Sequence, residues 1–182
     1  MSIETVLYRL DAQDCIVEVG GAWDQFAIEN GGDLLIGDSV IGQPLYRYVQ
    51  GDTTRIFVRS VIEGVRVLKQ ARTLPYRCDS ARERRYLEMS VIPEDSGHVT
   101  LEHRLLRMER FPAAQALNFA PASGVKLHVR CSMCNRIRHA DEWREPDRIP
   151  VDTQRPLQII HGVCPDCMRA LHERRCRIGR PA

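Results

Sequence analysis

The 182-residue chain contains no long hydrophobic run. A membrane-spanning helix needs about 18 or more consecutive apolar residues, so the sequence predicts no transmembrane helix. The first eleven residues lack a basic start followed by an apolar segment, so they do not resemble a secretory signal. We therefore expect a cytoplasmic protein that does not contact membranes and whose thiols stay reduced.

Lysine is scarce, because only Lys69 and Lys126 are lysines among 26 basic residues. The basic side chains are also unevenly placed. Residues 126–182 carry 12 basic and 7 acidic residues, whereas residues 1–125 carry 14 basic and 17 acidic residues. A basic C-terminal region can contact nucleic acid, but a chain-wide preference for arginine can equally reflect genome composition. One hypothesis, kept as an alternative, is therefore a transcription-related regulator that contacts nucleic acid through its basic C-terminal region.

Local motifs for catalysis are also lacking. The sequence shows no nucleophile–histidine–carboxylate pattern, no paired carboxylates, no glycine-rich phosphate loop and no open metal site. We therefore predict that the protein is not an enzyme and works by binding.

Two Cys-x-x-Cys pairs are the most specific feature that is present, namely Cys131 with Cys134 and Cys164 with Cys167. In a reducing compartment this pattern indicates metal ligation. Four thiolates close a tetrahedral shell around Zn²⁺ and leave no position for substrate, which is typical of a structural site. The 29 residues between the pairs can hold a hairpin or a long loop. The sequence predicts one structural zinc ion per chain.

The surroundings of the cysteines predict a small treble-clef-like or ribbon-like module at residues 126–182. A strand at 126–130 precedes the first pair, and a helix at about 165–177 begins at the second. His161 could substitute as a zinc ligand, but with four cysteines present it is expected to donate a hydrogen bond to a thiolate or to occupy a turn. Cys176, in a run of arginines, is either a redox-active thiol or a bystander.

The first 110 residues predict a separate α+β domain. Apolar alternation and turn residues predict strands, and apolar residues at helical spacing predict a short helix from Trp23 and a long helix at 52–70. The last strand is expected at an edge of the sheet. The predicted strands are 5–10, 15–19, 74–79, 85–92 and 98–108. An Ala- and Pro-rich segment at 111–125 predicts a linker.

This element order resembles the PAS fold, a five-stranded antiparallel sheet with helices on one face. The residue patterns at 21–27, 40–45 and 74–80 are similar to those of bacterial PAS-like sensory domains. The tail Cys-Ser-x-Cys-x-x-Ile-Arg…His-Gly-Val-Cys-Pro-x-Cys resembles one that often follows such domains. The resemblance implies a signal-sensing or protein-interaction module without its own output enzyme, acting as a homodimer or with a partner signalling protein.

The resemblance also implies a ligand pocket between the helices and the inner face of the sheet. Candidate lining residues are Trp23, Phe26, Phe57 and Ile62, which suit a small apolar or planar molecule. Flavin chemistry of the LOV type is not expected, since residues 22–70 contain no cysteine. Haem binding is not expected either, since the long helix contains no histidine.

Overall fold

A computed structural model describes the backbone of residues 5–119, 124–150 and 155–178; no side chain at 172 or 174–178 is described. The chain divides into two compact units, Met1–Arg110 and Phe111–Ala182. Among the described residues, no helix is long and apolar enough to cross a membrane.

The first unit is α+β and contains a five-stranded antiparallel sheet with the strand order β2-β1-β5-β4-β3. The five strands are β1 (Thr5–Leu10), β2 (Ile16–Gly21), β3 (Arg72–Arg77), β4 (Glu83–Pro93) and β5 (Val99–Arg110). Gly21 ends β2 with φ +63°, where a Cβ atom would lie 2.1 Å from the carbonyl oxygen of Thr5. Only glycine fits this close approach to β1.

Two helices connect β2 to β3. Helix α1 spans Trp23–Glu29 and helix α2 spans Asp52–Leu68. Helix α2 buries Val61, Ile62 and Val65, which lie on one face because a helix turns every 3.6 residues. It ends at Lys69, whose left-handed backbone returns its N–H to the carbonyl of Val65.

The core of the first unit lies between these helices and the inner face of the sheet. Alternation along the strands places every second side chain on this face. The buried members are Tyr8, Leu10, Ile16, Val40, Leu45, Val61, Ile62, Val65, Met89, Val91, Val99 and Leu101. The unit therefore has an extensive apolar core of its own.

The predicted edge position of the last strand is wrong. Strand β5 lies at the centre of the sheet and pairs with β1 on one side and β4 on the other. The order of strands in a sheet is set by long-range pairing, which the local alternation of apolar and polar residues does not encode.

The second unit contains a smaller mixed sheet with the strand order β6-β10-β7-β8-β9. Strand β10 runs parallel to β6 and β7, and the remaining pairs are antiparallel. Its elements are β6 (Leu117–Asn118), β7 (Leu127–Cys131), β8 (Ile137–His139), β9 (Glu142–Arg144), β10 (Leu157–Gly162) and helix α3 (Pro165–Ile178). Strand β6 falls inside the predicted linker, so that part of residues 111–125 belongs to this sheet.

The described residues of the second unit include a small apolar cluster. Ile137, Ile149 and Ile159 are buried against each other, and Leu117 and Leu157 pack on them. The 29-residue segment between the cysteine pairs supplies the β8–β9 hairpin and β10.

Candidate functional site

The fold brings the four predicted metal ligands together. Cys131 ends β7, Cys134 lies in the following turn, Cys164 precedes α3 and Cys167 lies in its first turn. All four sulfur atoms lie within 4.8 Å of one another. Cys131 and Cys164 are buried, and the other two are partly exposed.

The backbone around the cysteines supports negatively charged sulfur. The N–H groups of Met133 and Cys164 donate to Sγ of Cys131 at 3.4 Å. The N–H of Cys167 donates to Sγ of Cys164 at 3.5 Å. Such donation is typical of turns and helix N-termini that hold thiolates.

Gly162 allows the two halves of the cluster to meet. It pairs with Cys131 across the parallel β10–β7 ladder. A Cβ atom at Gly162 would lie 2.6 Å from a methyl group of Val129, so a side chain here would require Val129 to move. Cys164 follows Gly162 by two residues.

The sulfur spacing fits a tetrahedral tetrathiolate shell. Sγ of Cys134 and Sγ of Cys164 are 3.7 Å apart, and metal–sulfur bonds of about 2.3 Å at tetrahedral angles place two sulfurs about 3.8 Å apart. A disulfide would require about 2.05 Å, and all four thiols are free. The cluster is therefore compatible with a structural metal ion.

Arg136 spans the two cysteine pairs. Its Nε donates to Sγ of Cys134 at 3.4 Å, and its Nη2 donates to Sγ of Cys164 at 3.5 Å. The same Nη2 lies 2.8 Å from a carboxylate oxygen of Asp166, which also pairs with Arg169. One guanidinium thus offsets the negative charge of one sulfur from each pair.

Without a metal, these contacts separate the protonation behaviour of the thiols. The hydrogen bond from Cys131 and donation from Arg136 lower the pKa of Cys134. The pKa of Cys131 is raised by its hydrogen bond to Cys134 and by burial. Burial and the charge of Cys134 raise the pKa of Cys167 to about 12. Among Cys131, Cys134 and Cys167, loss of a proton is therefore most favourable at Cys134, and metal binding requires deprotonated thiols.

A second group of polar side chains lies on the inner face of the first sheet. His103 sits between two tyrosines: its Nδ1 is 2.7 Å from the hydroxyl of Tyr76, and its Nε2 is 3.1 Å from the hydroxyl of Tyr8. The rings of Tyr8 and His103 are stacked with centroids 5.4 Å apart, and Trp23 meets Tyr8 edge-on at 5.6 Å. We call Tyr8, Tyr76, His103 and Trp23 the inner-face cluster.

The predicted pocket residues occupy different environments. Ile62 is fully buried in the core, and Trp23 and Phe57 pack against that core while remaining partly exposed. Phe26 is also partly exposed and lies beneath the guanidinium of Arg85 at 5.3 Å. Of the four, Trp23 alone belongs to the inner-face cluster.

Sequence reasoning missed three members of this cluster. Tyr8, Tyr76 and His103 each lie two residues from a leucine on the same strand face, namely Leu10, Leu74 and Leu101. That alternation was visible in the sequence. Their meeting was not, because it depends on the register in which Met89 pairs with both His103 and Leu74.

Other candidates are placed only in part. His161 lies on β10 and stacks on Phe119 with ring centroids 5.8 Å apart. The side chains of Cys176 and of the arginines at 174, 175 and 177 lie outside the described residues, so the redox and nucleic-acid hypotheses stay predictions.

No family model matches the chain. No curated protein matches it either. Among solved structures, the chain is similar to a domain of an HTR-like protein from Haloarcula marismortui ATCC 43049. The two share 17% identity with a TM-score of 0.44, over 57% of this chain and 99% of that one. A likeness of this strength does not assign a function.

Proposed function

We propose that the protein is a signal-sensing or protein-interaction regulatory module, built from a PAS-like unit and a unit held by structural zinc. The observation that carries the proposal is the inner-face cluster. Buried sheet faces are normally apolar, yet here two hydroxyls and an imidazole lie beside an apolar core. Three of the four side chains of the cluster remain partly exposed. Such convergent polar groups in an apolar surrounding are typical of a ligand site.

The PAS-like assignment is supported by the architecture of the first unit. The helices lie between the second and third strands of a five-stranded antiparallel sheet and cover one face of it. The resemblance in sequence points the same way. Homodimerisation or contact with a partner signalling protein in the cytoplasm is part of this proposal.

Zinc is the metal that best suits the second unit. Cys131, Cys134, Cys164 and Cys167 would hold it, and four thiolates in a tetrahedral arrangement are a donor set typical of structural zinc. When bound, Zn²⁺ cross-links β7 to the N-terminus of α3. With its four positions filled by sulfur it offers none to a substrate, which supports a protein that binds and does not catalyse.

Native mass spectrometry of the full chain tests this proposal. We expect one zinc ion per chain, a dimer or a partner-competent monomer, and a retained small molecule in at least part of the population. Protein that retains no small molecule, stays monomeric and binds no signalling partner would contradict the regulatory role. A zinc content below about half an equivalent in reduced, zinc-replete protein would contradict the metal assignment.

A further inference from the structure

The inner-face cluster holds more hydrogen-bond donors than it can use. A neutral imidazole carries one N–H and each tyrosine carries one O–H, which gives three protons. The described side chains of the cluster form two hydrogen bonds, one between His103 and Tyr76 and one between His103 and Tyr8. Within the described part of the chain, neither hydroxyl has another hydrogen-bond partner. One hydroxyl proton is therefore left without an acceptor among the described protein groups.

The distances identify which hydroxyl this is. The 2.7 Å contact between Tyr76 and Nδ1 has the length of an O–H donor, and the 3.1 Å contact between Nε2 and Tyr8 has the length of an N–H donor. Tyr76 then donates to His103, and His103 donates to Tyr8. The remaining proton is on Tyr8, whose side chain is 8% exposed.

The neutral form of His103 agrees with its surroundings. Burial lowers the pKa of His103 to about 4. The titratable groups that act on the two tyrosines are Tyr46, Cys78 and Arg85, and Arg85 directs its Nε to the carbonyl of Cys78. A protonated imidazole would donate from both nitrogens and leave both hydroxyl protons unused, so the excess of donors holds in either state.

The cluster borders a part of the inner face that solvent can reach. Leu10, Val91, Val99 and Leu101 are fully buried. By contrast, His103, two residues after Leu101 on β5, and Tyr76 on β3 are partly exposed. Trp23 is partly exposed as well and lies against Tyr8. The surface that they form is made of flat rings, which favour a flat ligand.

We infer that the Tyr8 hydroxyl donates a hydrogen bond to the carbonyl oxygen of a small, neutral aromatic molecule that packs against the rings of the inner-face cluster. This inference rests on the proposed sensing role and names the ligand class. A neutral carbonyl is favoured over a carboxylate because no charged side chain among the described residues bonds to either hydroxyl. Arg85, the cation that acts on Tyr76, directs its Nε to the carbonyl of Cys78, and burying an unpaired anion is costly.

Two probes of similar shape test the inference on the full-length, zinc-loaded chain. Acetophenone carries a carbonyl, whereas ethylbenzene has nearly the same size and carries no acceptor. Binding is followed by ¹⁵N–¹H chemical-shift titration, which also shows where each probe lies. We expect acetophenone to bind more tightly, with shifts centred on β1, β5 and α1.

Substitutions then assign the donor. Tyr8→Phe removes the spare proton and is expected to weaken acetophenone binding about ten-fold, the value of one good hydrogen bond, without changing ethylbenzene binding. Tyr48→Phe is the matched control, because Tyr48 packs against the same core outside the cluster. It is expected to leave both affinities unchanged, and thermal unfolding checks that both variants fold.

Three outcomes would overturn the inference. Equal affinity for the two probes would show that the site does not recognise a carbonyl oxygen, although it could still be an apolar sensing site. Loss of acetophenone binding in Tyr76→Phe but not in Tyr8→Phe would show that Tyr76, and not Tyr8, donates the hydrogen bond. Failure of both probes to bind up to their solubility would exclude this ligand class, and native mass spectrometry would still decide the regulatory role separately.

Discussion

The two units differ in what holds them together. The described apolar cluster of the first unit has twelve buried members between a sheet and two helices, whereas that of the second unit has three, all isoleucines, and the buried Cys131 and Cys164 belong to the cysteine cluster. Small domains bury too little apolar surface to offset the entropy of folding. We propose that the first unit is stabilised mainly by its apolar core and that the second depends on a metal ion, so that the two stabilities should be separable.

The largest effect is expected from Cys164→Ser. Structural zinc contributes about 10–16 kcal/mol to the folding of small zinc peptides, so loss of one buried ligand should unfold the second unit and leave the first folded. Scanning calorimetry of the full chain should then retain only the transition of the first unit. Cys15→Ser, at a cysteine far from the cluster in sequence and outside it, should retain both transitions. A Cys164→Ser variant that kept both unfolding transitions would contradict the proposed difference between the two units.

The converse substitution is Leu101→Ala on the central strand β5. Leu101 is fully buried, and truncation of such a leucine costs about 2–5 kcal/mol through lost burial and the cavity that remains. We expect the melting temperature of the first unit to fall while zinc content and the second transition stay unchanged. Release of zinc in this variant would show that the two units unfold together.

Arg136 sharpens the comparison within the metal unit. Its guanidinium donates to one sulfur of each cysteine pair, and loss of groups that support metal ligands typically costs about 10–100-fold in affinity. Arg136→Met should weaken zinc binding by that factor in chelator competition, and Arg136→Lys should weaken it less. Arg138→Met, on the same hairpin but paired with the exposed Asp141, is the control. Equal effects at both positions would mean that zinc affinity depends on the overall positive charge of the unit and not on the hydrogen bonds from Arg136 to the two sulfurs.

The smallest effect is a pH dependence of the first unit. Burial lowers the pKa of His103 from 6.5 to about 4, so the unfolded chain binds more protons than the folded chain between these values. The free energy of unfolding of the first unit should therefore fall as pH drops from about 6.5 towards 4. His103→Gln should flatten this slope in urea titrations, and Tyr48→Phe should not. An unchanged slope in His103→Gln would assign the acid sensitivity to other groups.

The sequence predicted the local features of both units better than their long-range ones. Helix α2 and the grouping of the four cysteines into one cluster were predicted from residue spacing over short stretches. The sequence left open whether a hairpin or a long loop lies between the cysteine pairs. The two-residue turn of the β8–β9 hairpin uses Ala140 and Asp141 with positive φ, where Asn-Gly is the usual signal. The central place of β5 and the meeting of His103 with Tyr8 and Tyr76 depend on strand register, which one sequence does not show.

Metal removal from the intact chain tests the central claim most directly. A ¹⁵N–¹H spectrum is recorded before and after chelation under reducing conditions. Signals from residues 124–150 and 155–178 should collapse into the narrow range of unfolded chain, and those from residues 5–110 should keep their positions. Added zinc should then restore the first spectrum. Retention of dispersed signals from both units after complete chelation would show that the second unit does not depend on a metal and would contradict the account.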